Sequence, residues 1–208
     1  MAALDSSHLY VLGGQIGTEL TRKVEAYEAV ANVWTPFPAM CRARTKFATC
    51  VLGGGTWIYA YAGAMEGGEY HDDTFESCPL LGQGRKWKII KLQQLLYPGS
   101  RVAMTPLDQH SILIYGYRTS RSAEEAEEAS YVIEVGATGA VQKIEALPQT
   151  IVPATTGYWC PGVAQDGEVL VMSDNSDEPL VYRFRYMTRS WETLPREIEG
   201  GEGAVGEE

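Results

Sequence analysis

The tryptophans of this chain recur at a nearly constant interval. Trp34, Trp87 and Trp191 each close a short segment, and the interval from Trp34 to Trp87 is 53 residues. The next interval is 104 residues, about twice as long, so one position of the series lacks its tryptophan, near Gln142. A period close to fifty residues indicates an array of equivalent units, which constrains the fold more than composition does.

The repeat divides residues 1–197 into four units, with boundaries near 4–40, 41–94, 95–148 and 149–197. Each unit contains short apolar or alternating runs separated by Gly, Asp and Asn, a pattern typical of strands joined in hairpins. Four runs per unit predict a small antiparallel sheet, repeated about four times. Repeated four-stranded sheets arranged radially form a β-propeller, so we expect an all-β fold with little helix.

A helical fold is disfavoured by the glycines and by the apolar period. Glycines lie inside or beside the apolar runs, where each would cost a helix about 1 kcal/mol. Ile58 and Ala60 alternate with Tyr59 and Tyr61, a period of two that indicates a strand. The one helical candidate is the acidic stretch 121–129, which has no apolar stripe. We interpret it as a solvated loop of the third unit.

A fixed order of residue types recurs within the units. In the first unit a double glycine, Gly13-Gly14, ends one strand, and the aromatic Tyr27 precedes Trp34 by seven residues. This order, followed by a proline-containing turn, resembles the kelch repeat. The later units keep parts of it: Ala62-Gly63, Leu80 and Trp87 in unit two, Tyr115-Gly116-Tyr117 in unit three, and Met172-Ser173-Asp174, Phe184 and Trp191 in unit four. The resemblance implies a kelch-type β-propeller over nearly all of residues 4–197.

The residues of this order have structural roles in such a fold. Glycines let strands turn tightly near a crowded axis, where a Cβ would clash. Large aromatic side chains pack between neighbouring sheets, and each buries on the order of 150–250 Å². We therefore expect core positions, not a ligand cage, for Tyr27, Trp34, Trp87, Phe184 and Trp191.

The number of units raises the question of how the array ends. Four units are fewer than a kelch propeller usually has. The first recognisable run, HLYVLGG, corresponds to the second strand of a unit, so the innermost strand of unit one has no evident source. We expect either a partial propeller or an array that another chain completes. Exposed end sheets would then favour self-association.

Composition restricts the partner and the compartment. A net charge of −10, from 27 acidic and 17 basic residues, argues against nucleic acid, whose binding needs a basic face. No apolar run is long enough to predict a membrane span, and the N-terminus lacks the pattern of a secretory signal. Cys41, Cys50, Cys78 and Cys160 are widely spaced, which we interpret as reduced thiols of a cytoplasmic protein, with a nuclear location as the alternative. The acidic, glycine-rich residues 198–208 are predicted to be a disordered tail.

The search for catalytic residues identifies no motif. Of the three histidines, His8 and His110 have no partners at metal-ligand spacing, and His71 belongs to a short acidic cluster in a loop. The loop cluster 69–73 contains carboxylates and an imidazole, but adjacent loop residues rarely converge on one ion. We therefore predict no metal, no cofactor and no catalytic site. The alternative is a propeller enzyme acting on a sugar, similar to the epimerases, whose acid–base residues would come from different units and leave no linear motif.

The leading prediction is a non-catalytic binding module. The resemblance to kelch proteins implies protein–protein interaction, with specificity in the loops of one rim. The turns between units, and the loops after each second strand, would form that rim and supply Arg42, Arg44, Tyr70, His71, Arg101, Arg118, Arg121 and Tyr158. Such arginines would hold an acidic or aromatic-containing peptide through bidentate contacts. The alternative for each arginine is a solvated or sheet-bridging role.

Overall fold

The regular structure in the described part of the chain is entirely β. A computed structural model describes residues 2–4, 7–52, 54–64, 74–92, 101–119, 126–148, 162–172 and 180–195, and every regular element in these ranges is a strand. The strands form four antiparallel four-stranded sheets and one small hairpin. The prediction of an all-β chain with repeated four-stranded sheets is confirmed.

Each sheet is a meander of strands that follow one another along the chain. The first sheet contains β1 (Ala2–Leu4), β2 (His8–Leu12), β5 (Val24–Glu28) and β6 (Val33–Phe37), and the hairpin β3 (Gln15–Ile16) and β4 (Glu19–Leu20) lies between β2 and β5. The second contains β7 (Ala48–Leu52), β8 (Trp57–Tyr61), β9 (Thr74–Pro79) and β10 (Lys88–Lys91). The third contains β11 (Arg101–Pro106), β12 (Ser111–Thr119), β13 (Ala126–Val135) and β14 (Val141–Ala146). The fourth contains β15 (Val163–Gln165), β16 (Glu168–Met172), β17 (Val181–Arg185) and β18 (Ser190–Leu194).

The innermost strand of the first sheet comes from the N-terminal residues. Ala2–Leu4 form β1, which pairs antiparallel with β2 and places Ala3 opposite Tyr10. The expectation that this strand has no source within the chain is therefore wrong. A strand of three residues carries no alternating pattern, which is why the sequence did not indicate it.

The sheets follow one another as the blades of a propeller do. Their first strands are neighbours in order, with β1 next to β7, β7 next to β11, and β11 next to β15. Within the described residues the sheets do not form a closed ring.

One backbone hydrogen bond recurs in all four sheets and aligns them residue by residue. The residue after or at the end of each third strand donates its N–H to the carbonyl of a residue just before the second strand. The four bonds run from Ala29 to Ser7, from Leu80 to Thr56, from Val135 to His110 and from Tyr186 to Gly167, at 2.8–3.1 Å. Equivalent positions of the four units can therefore be read from the strand register.

This alignment corrects two positions of the sequence repeat. Cys78 pairs with Ile58 as Tyr27 pairs with Leu9, so Cys78, not Leu80, occupies the aromatic position of the second unit. In the third unit Ile133 is the equivalent residue, and its partner on β14 is Ile144. Ile144, not Gln142, therefore takes the place of the missing tryptophan. The loops between the paired strands differ in length, which shifted both positions in the sequence count.

The core consists of three clusters, each between two successive sheets. Tyr10, Leu12 and Val24 of the first sheet pack against Ile58, Cys78 and Trp87 of the second. Tyr59, Tyr61 and Phe75 of the second sheet pack against Ile112, Ile114 and Ile133 of the third. Leu113, Tyr115 and Val132 of the third sheet pack against Val171, Phe184 and Trp191 of the fourth. The second and third sheets are thus apolar on both faces.

The aromatic residues of the repeat do not all lie in this core. Trp87, Phe184 and Trp191 are buried, with exposed fractions of 2%, 0% and 4%. Trp34 is 51% exposed, so the expectation that it belongs to the core is wrong. Tyr27 is half-buried and packs against Trp34, with ring centroids 5.1 Å apart and the ring planes tilted by 41°. The face of the first sheet that carries both rings lies opposite the face that packs on the second sheet.

The double-glycine position has the same backbone conformation in units one and two. Gly13 and Gly14 have φ values of 51° and 100°, and Ala62 and Gly63 have 60° and 95°. A Cβ on Gly13 would lie 2.7 Å from the carbonyl oxygen of Arg44. The close approach of the following connection therefore leaves no room for a side chain at Gly13, although Ala62 adopts a similar φ at the equivalent position.

The acidic stretch of the third unit is in part a strand. Ala126 begins β13 and pairs with Thr119, so residues 126–129 belong to the sheet and not to a loop as predicted. Residues 121–125 of that stretch, and the acidic tail 198–208, lie outside the described residues. The long pairing of β12 with β13 extends the sheet where the sequence has no apolar pattern.

Replacing Gly13 by Ala is expected to destabilise the protein more than the same change at Gly17. Both residues have positive φ, but a Cβ on Gly17 would meet nothing within 4 Å. We expect a loss of about 2–4 kcal/mol for Gly13→Ala, from backbone strain and overpacking, and about 1–2 kcal/mol for Gly17→Ala, from strain alone. Urea unfolding followed by circular dichroism measures both. Equal losses of unfolding free energy in the two variants would show that the Arg44 carbonyl moves aside without an energetic penalty.

The tryptophans of the first and second units are expected to differ in their contribution to stability. Trp87→Ala leaves a cavity between two sheets and should cost about 3–5 kcal/mol. Trp34→Ala removes a half-exposed ring and should cost about 1 kcal/mol or less, as surface substitutions do. Thermal and urea unfolding of the two variants test this. A large loss for Trp34→Ala would mean that its ring is covered in solution.

Candidate functional site

The rim residues predicted from sequence are only partly within the described structure. Tyr70, His71, Arg121 and Tyr158 lie outside it. Arg101 begins β11 opposite Tyr117, and Arg118 on β12 pairs with Glu127, so the backbone brings Arg101 and Arg118 to one end of the third sheet. The side chains that the structure describes among the eight are those of Arg42, which is exposed, and Arg44.

Arg44 is not a rim residue but the centre of a buried polar cluster. Its side chain is fully buried, as is that of Glu76 on β9, and the two form an ion pair. The Arg44 guanidinium also donates to the carbonyl of Ala62 at 2.7 Å. Burial lowers the pKa of Arg44, and the Glu76 carboxylate opposes that change. The expectation that Arg44 is available to a partner is therefore wrong, because no part of its side chain reaches solvent.

Glu76 also holds the connection between the first two sheets. Its carboxylate accepts hydrogen bonds from the backbone N–H groups of Cys41, at 2.7 Å, and Arg42, at 3.1 Å. The indole of Trp87 donates to the carbonyl of Pro38 at 2.8 Å. A buried carboxylate with an arginine and two N–H donors satisfies the desolvation requirement that an isolated charge could not meet. Together these bonds seat residues 38–44 on the face of the second sheet.

The described cysteines belong to the packed interior or its border. Cys41, Cys50 and Cys78 are free thiols. Burial raises the pKa of all three and brings that of Cys78 to about 12, so their thiolates do not form near neutral pH. Cys160 lies outside the described residues. Reactive or metal-binding thiols are therefore not part of the site that the described residues form.

A groove lies between the first and second sheets on the side of the strand hairpins. We define the hairpin rim as the turns that join the first to the second strand and the third to the fourth strand of each sheet. The groove has a volume of about 350 Å³. Its lining includes Ser7, His8, Tyr10, Pro36, Leu81 and Arg85. It is thus a mixed apolar and cationic concavity at the edge of a sheet junction.

The cationic part of the groove is held in place by the first sheet and its neighbour. The Arg85 guanidinium lies over the ring of Phe37, 4.9 Å from the centroid, and donates to the carbonyl of Leu80 at 3.3 Å. Nδ1 of His8 shares a 2.9 Å hydrogen bond with the hydroxyl of Ser7. A stacked guanidinium that keeps free donors is a suitable partner for a carboxylate.

Exposed aliphatic side chains recur on the same rim. Val30, Leu81 and Met187 occupy equivalent positions in the turns between the third and fourth strands, one residue after the recurring hydrogen bond. They are 90%, 68% and 89% exposed. A second groove, of about 290 Å³, lies between the second and third sheets and includes Trp57, His110 and Gly136, the last at the equivalent turn position. An exposed aliphatic side chain thus recurs at one turn position in three of the four described sheets.

The sequence carries a signal for this rim that is separate from the tryptophans. Val30 and Leu81 are 51 residues apart, close to the interval between the first two tryptophans. Each follows the aromatic position by three residues, as counted from Tyr27 and Cys78. Because the turn residues share the period of the core residues, the repeat predicted them as well. Their exposure could only be seen in the structure.

The described residues contain neither a metal cluster nor a membrane helix. No group of three or more His, Cys, Asp or Glu side chains among them is arranged to hold a metal ion. In the same part of the chain, no helix has the length and apolarity that crossing a membrane requires.

Four meandering sheets with adjacent inner strands define the class of the protein as a β-propeller-type repeat protein. The comparison with protein families is more specific, since residues 2–40 match the family described as Kelch motif. This match covers the whole first sheet and supports membership of the kelch-repeat family. Kelch repeats typically mediate protein–protein interaction and are generally not enzymatic. No curated protein matches the chain significantly.

The buried Arg44 and the exposed Arg42 of the connection are expected to behave differently on substitution. Arg44→Ala leaves the Glu76 carboxylate buried without its cation, which should cost about 3–5 kcal/mol. Arg42 contributes its backbone N–H to Glu76, so Arg42→Ala should change stability by about 0.5 kcal/mol or less. Urea unfolding of the two variants compares them. A fully stable Arg44→Ala protein would contradict the structural role of the cluster.

Proposed function

We propose that the chain is a non-catalytic protein-interaction module that binds a peptide or protein partner. The kelch motif over residues 2–40 supports this function, because such motifs are typical of interaction modules. The architecture supports it as well, since rigid sheets present short turns in fixed positions and such turns commonly carry binding residues. The alternative of a sugar-transforming enzyme has no specific support in the described side chains.

The groove at the hairpin rim is the observation that carries the proposal. It combines the apolar surfaces of Tyr10 and Leu81 with the guanidinium of Arg85. An extended peptide with an apolar side chain and a neighbouring carboxylate matches this combination, since the apolar group would bury against Leu81 and the carboxylate would pair with Arg85. The protein as a whole carries a charge of −10, so most of its surface repels an acidic partner. The cationic groove would therefore direct such a partner to this position.

The loop rim on the opposite side remains a second predicted surface. We define the loop rim as the turns between units and the loops after each second strand. Arg42, Arg101 and Arg118 are the members of the predicted set for which the described structure is compatible with this role. A cytoplasmic location, with a nuclear one as alternative, belongs to the proposal, since free thiols are typical of reducing compartments.

Charge reversal and apolar-to-acidic changes in the groove test the proposal. Protein variants Leu81→Asp and Arg85→Glu, immobilised and exposed to cytoplasmic extract, should lose the partners that the wild type retains. Loss of a charge-assisted hydrogen bond costs about 1.5–3 kcal/mol, about tenfold or more in affinity. Met187→Asp is the matched control, because Met187 is exposed at the equivalent turn of the fourth sheet. Quantitative mass spectrometry compares the retained proteins.

The outcomes separate the two rims and the two functions. Retention of the same proteins by all variants would contradict binding at the groove, and a loss confined to Arg101→Ala or Arg118→Ala would assign binding to the loop rim. An increase of the melting temperature by a sugar, with no retained protein, would favour the enzyme instead, because a ligand that binds only the native state stabilises it.

A further inference from the structure

The outward face of the first sheet retains the surface that the other sheets use for packing. We call this surface the end face. It comprises Leu9, Val11, Glu25, Tyr27, Trp34 and Pro36, which are aligned across β2, β5 and β6. Trp34 is 51% exposed and Val11 is 36% exposed. An aromatic and aliphatic face of this kind is unusual on the surface of a monomer.

On the second sheet, the equivalent face packs against the first sheet and against the connection 38–44, and the connection supplies its polar partners. Glu25 and Glu76 are equivalent, because Glu25 pairs with Val11 as Glu76 pairs with Ala60. Trp34 and Trp87 are equivalent as well: Trp34 is the second residue of β6, and Trp87 immediately precedes β10. On the second sheet, the Trp87 indole donates to the carbonyl of Pro38, and the Glu76 carboxylate accepts hydrogen bonds from Arg44 and two backbone N–H groups. The same pair of residue types on the first sheet has none of these partners among the hydrogen bonds of the described residues.

Glu25 is free to exchange its present partner. It forms an ion pair with Lys23 at 2.8 Å, and the two side chains are 38% and 59% exposed. An exposed pair of this kind contributes little, about 0–1 kcal/mol. An incoming arginine that forms a bidentate bond in a dehydrated contact would therefore displace Lys23 at small cost.

The free face of the fourth sheet does not match the end face. It carries a network in which Arg183 and Arg185 both pair with Glu168 and Glu192, at 2.7–3.3 Å. Arg183 stands where the first sheet has Ala26, so the charges lie at the centre of that face. Covering this network with Trp34 and Tyr27 would remove four charges from water without new partners. A charged outer face of this kind is suited to contact with solvent.

We propose that the end face binds an extended segment of a partner protein that carries a proline and, about six residues later, an arginine. The segment lies on the end face as residues 38–44 lie on the second sheet. Its arginine pairs with Glu25, and its proline carbonyl accepts the indole N–H of Trp34. Apolar residues between them cover Val11 and Tyr27. Tryptophan, tyrosine and arginine are the residues that most often dominate the affinity of such contacts.

A peptide taken from the connection of this chain provides the probe. The probe contains residues 36–44, PFPAMCRAR, with Cys41→Ser, and its binding to the full chain is measured by isothermal titration calorimetry. We expect binding at micromolar to submillimolar concentration. Replacing the arginine at position 44 of the peptide by Gln, or Glu25→Gln in the protein, should each weaken binding about tenfold or more. Trp34→Ala should abolish it.

Controls separate this site from the hairpin rim and from unfolding. Glu28→Gln changes a carboxylate on the same strand but on the opposite face, and should leave the affinity unchanged. Leu81→Asp, in the groove, should also leave it unchanged, so failure at one surface does not decide the other. Unfolding curves confirm that Glu25→Gln and Trp34→Ala remain folded. Absence of binding at about 1 mM peptide, or equal binding by Glu25→Gln, overturns the proposal.

Two other occupants of the end face give distinct results. A dimer in sedimentation velocity that Trp34→Ala dissociates would assign the face to a second copy of the chain. Protection of Trp34 from hydroxyl radicals in the isolated monomer, at every concentration, would place another part of the same chain over it. Either result overturns binding of a partner segment.

Discussion

The structure depends on the burial of each apolar sheet face against the next sheet. A four-stranded sheet that is apolar on both faces has no stable form in water by itself, since it needs a neighbour on each side. The second and third sheets have such faces, and the three clusters between successive sheets contain the large buried side chains of the core. Hydrogen bonding within a sheet determines its shape, but the burial of apolar surface between sheets makes the sheet stable.

The polar groups at the first junction direct this burial. Apolar packing between sheets is not directional and would tolerate several relative positions. Glu76 selects one relative position of the two sheets, because only there can its carboxylate accept hydrogen bonds from Arg44 and from both N–H groups of the connection. The carbonyl of Arg44 in turn accepts a hydrogen bond from Gly14 at 2.9 Å, and this places the connection directly above Gly13. The double glycine and the buried ion pair are therefore parts of one device that sets the position of the second sheet on the first.

Much of the fold could be predicted from the sequence, because periodicity and turn residues are local signals. The fifty-residue interval and the alternation around Ile58 indicated the repeated sheets, and the order around Gly13 and Trp34 indicated the family. The residues that occupy equivalent positions in different units could not all be predicted. Because the turns differ in length, counting along the sequence pointed to Leu80 and Gln142, whereas the strand register identifies Cys78 and Ile144. The strand Ala2–Leu4 was too short to show a pattern.

The candidate site was predictable only in part, because exposure is a property of neighbours. Arg44 and Arg85 are both arginines near turns, and nothing in the sequence distinguishes them. Arg44 is buried because Glu76, more than thirty residues away, lies opposite it, whereas Arg85 lies over the ring of Phe37 at the rim of a groove. A sequence pattern identifies residue types, but it does not show which side chains a neighbouring sheet buries.

The same reasoning explains how one repeat position acquires two functions. Glu25 and Glu76 are identical in type and register, as are Trp34 and Trp87, yet one pair is buried and the other is accessible. On the second sheet, the contacts of Glu76 and Trp87 contribute to folding, because the connection that provides their hydrogen-bond partners belongs to the same chain. On the first sheet the same contacts remain unmade by the described residues, so their energy is available to an interaction instead. The first sheet keeps on its outward face the residue types that the second sheet uses for packing, unlike the charged outer face of the fourth sheet, and this difference is the chemical basis of the proposed binding surface.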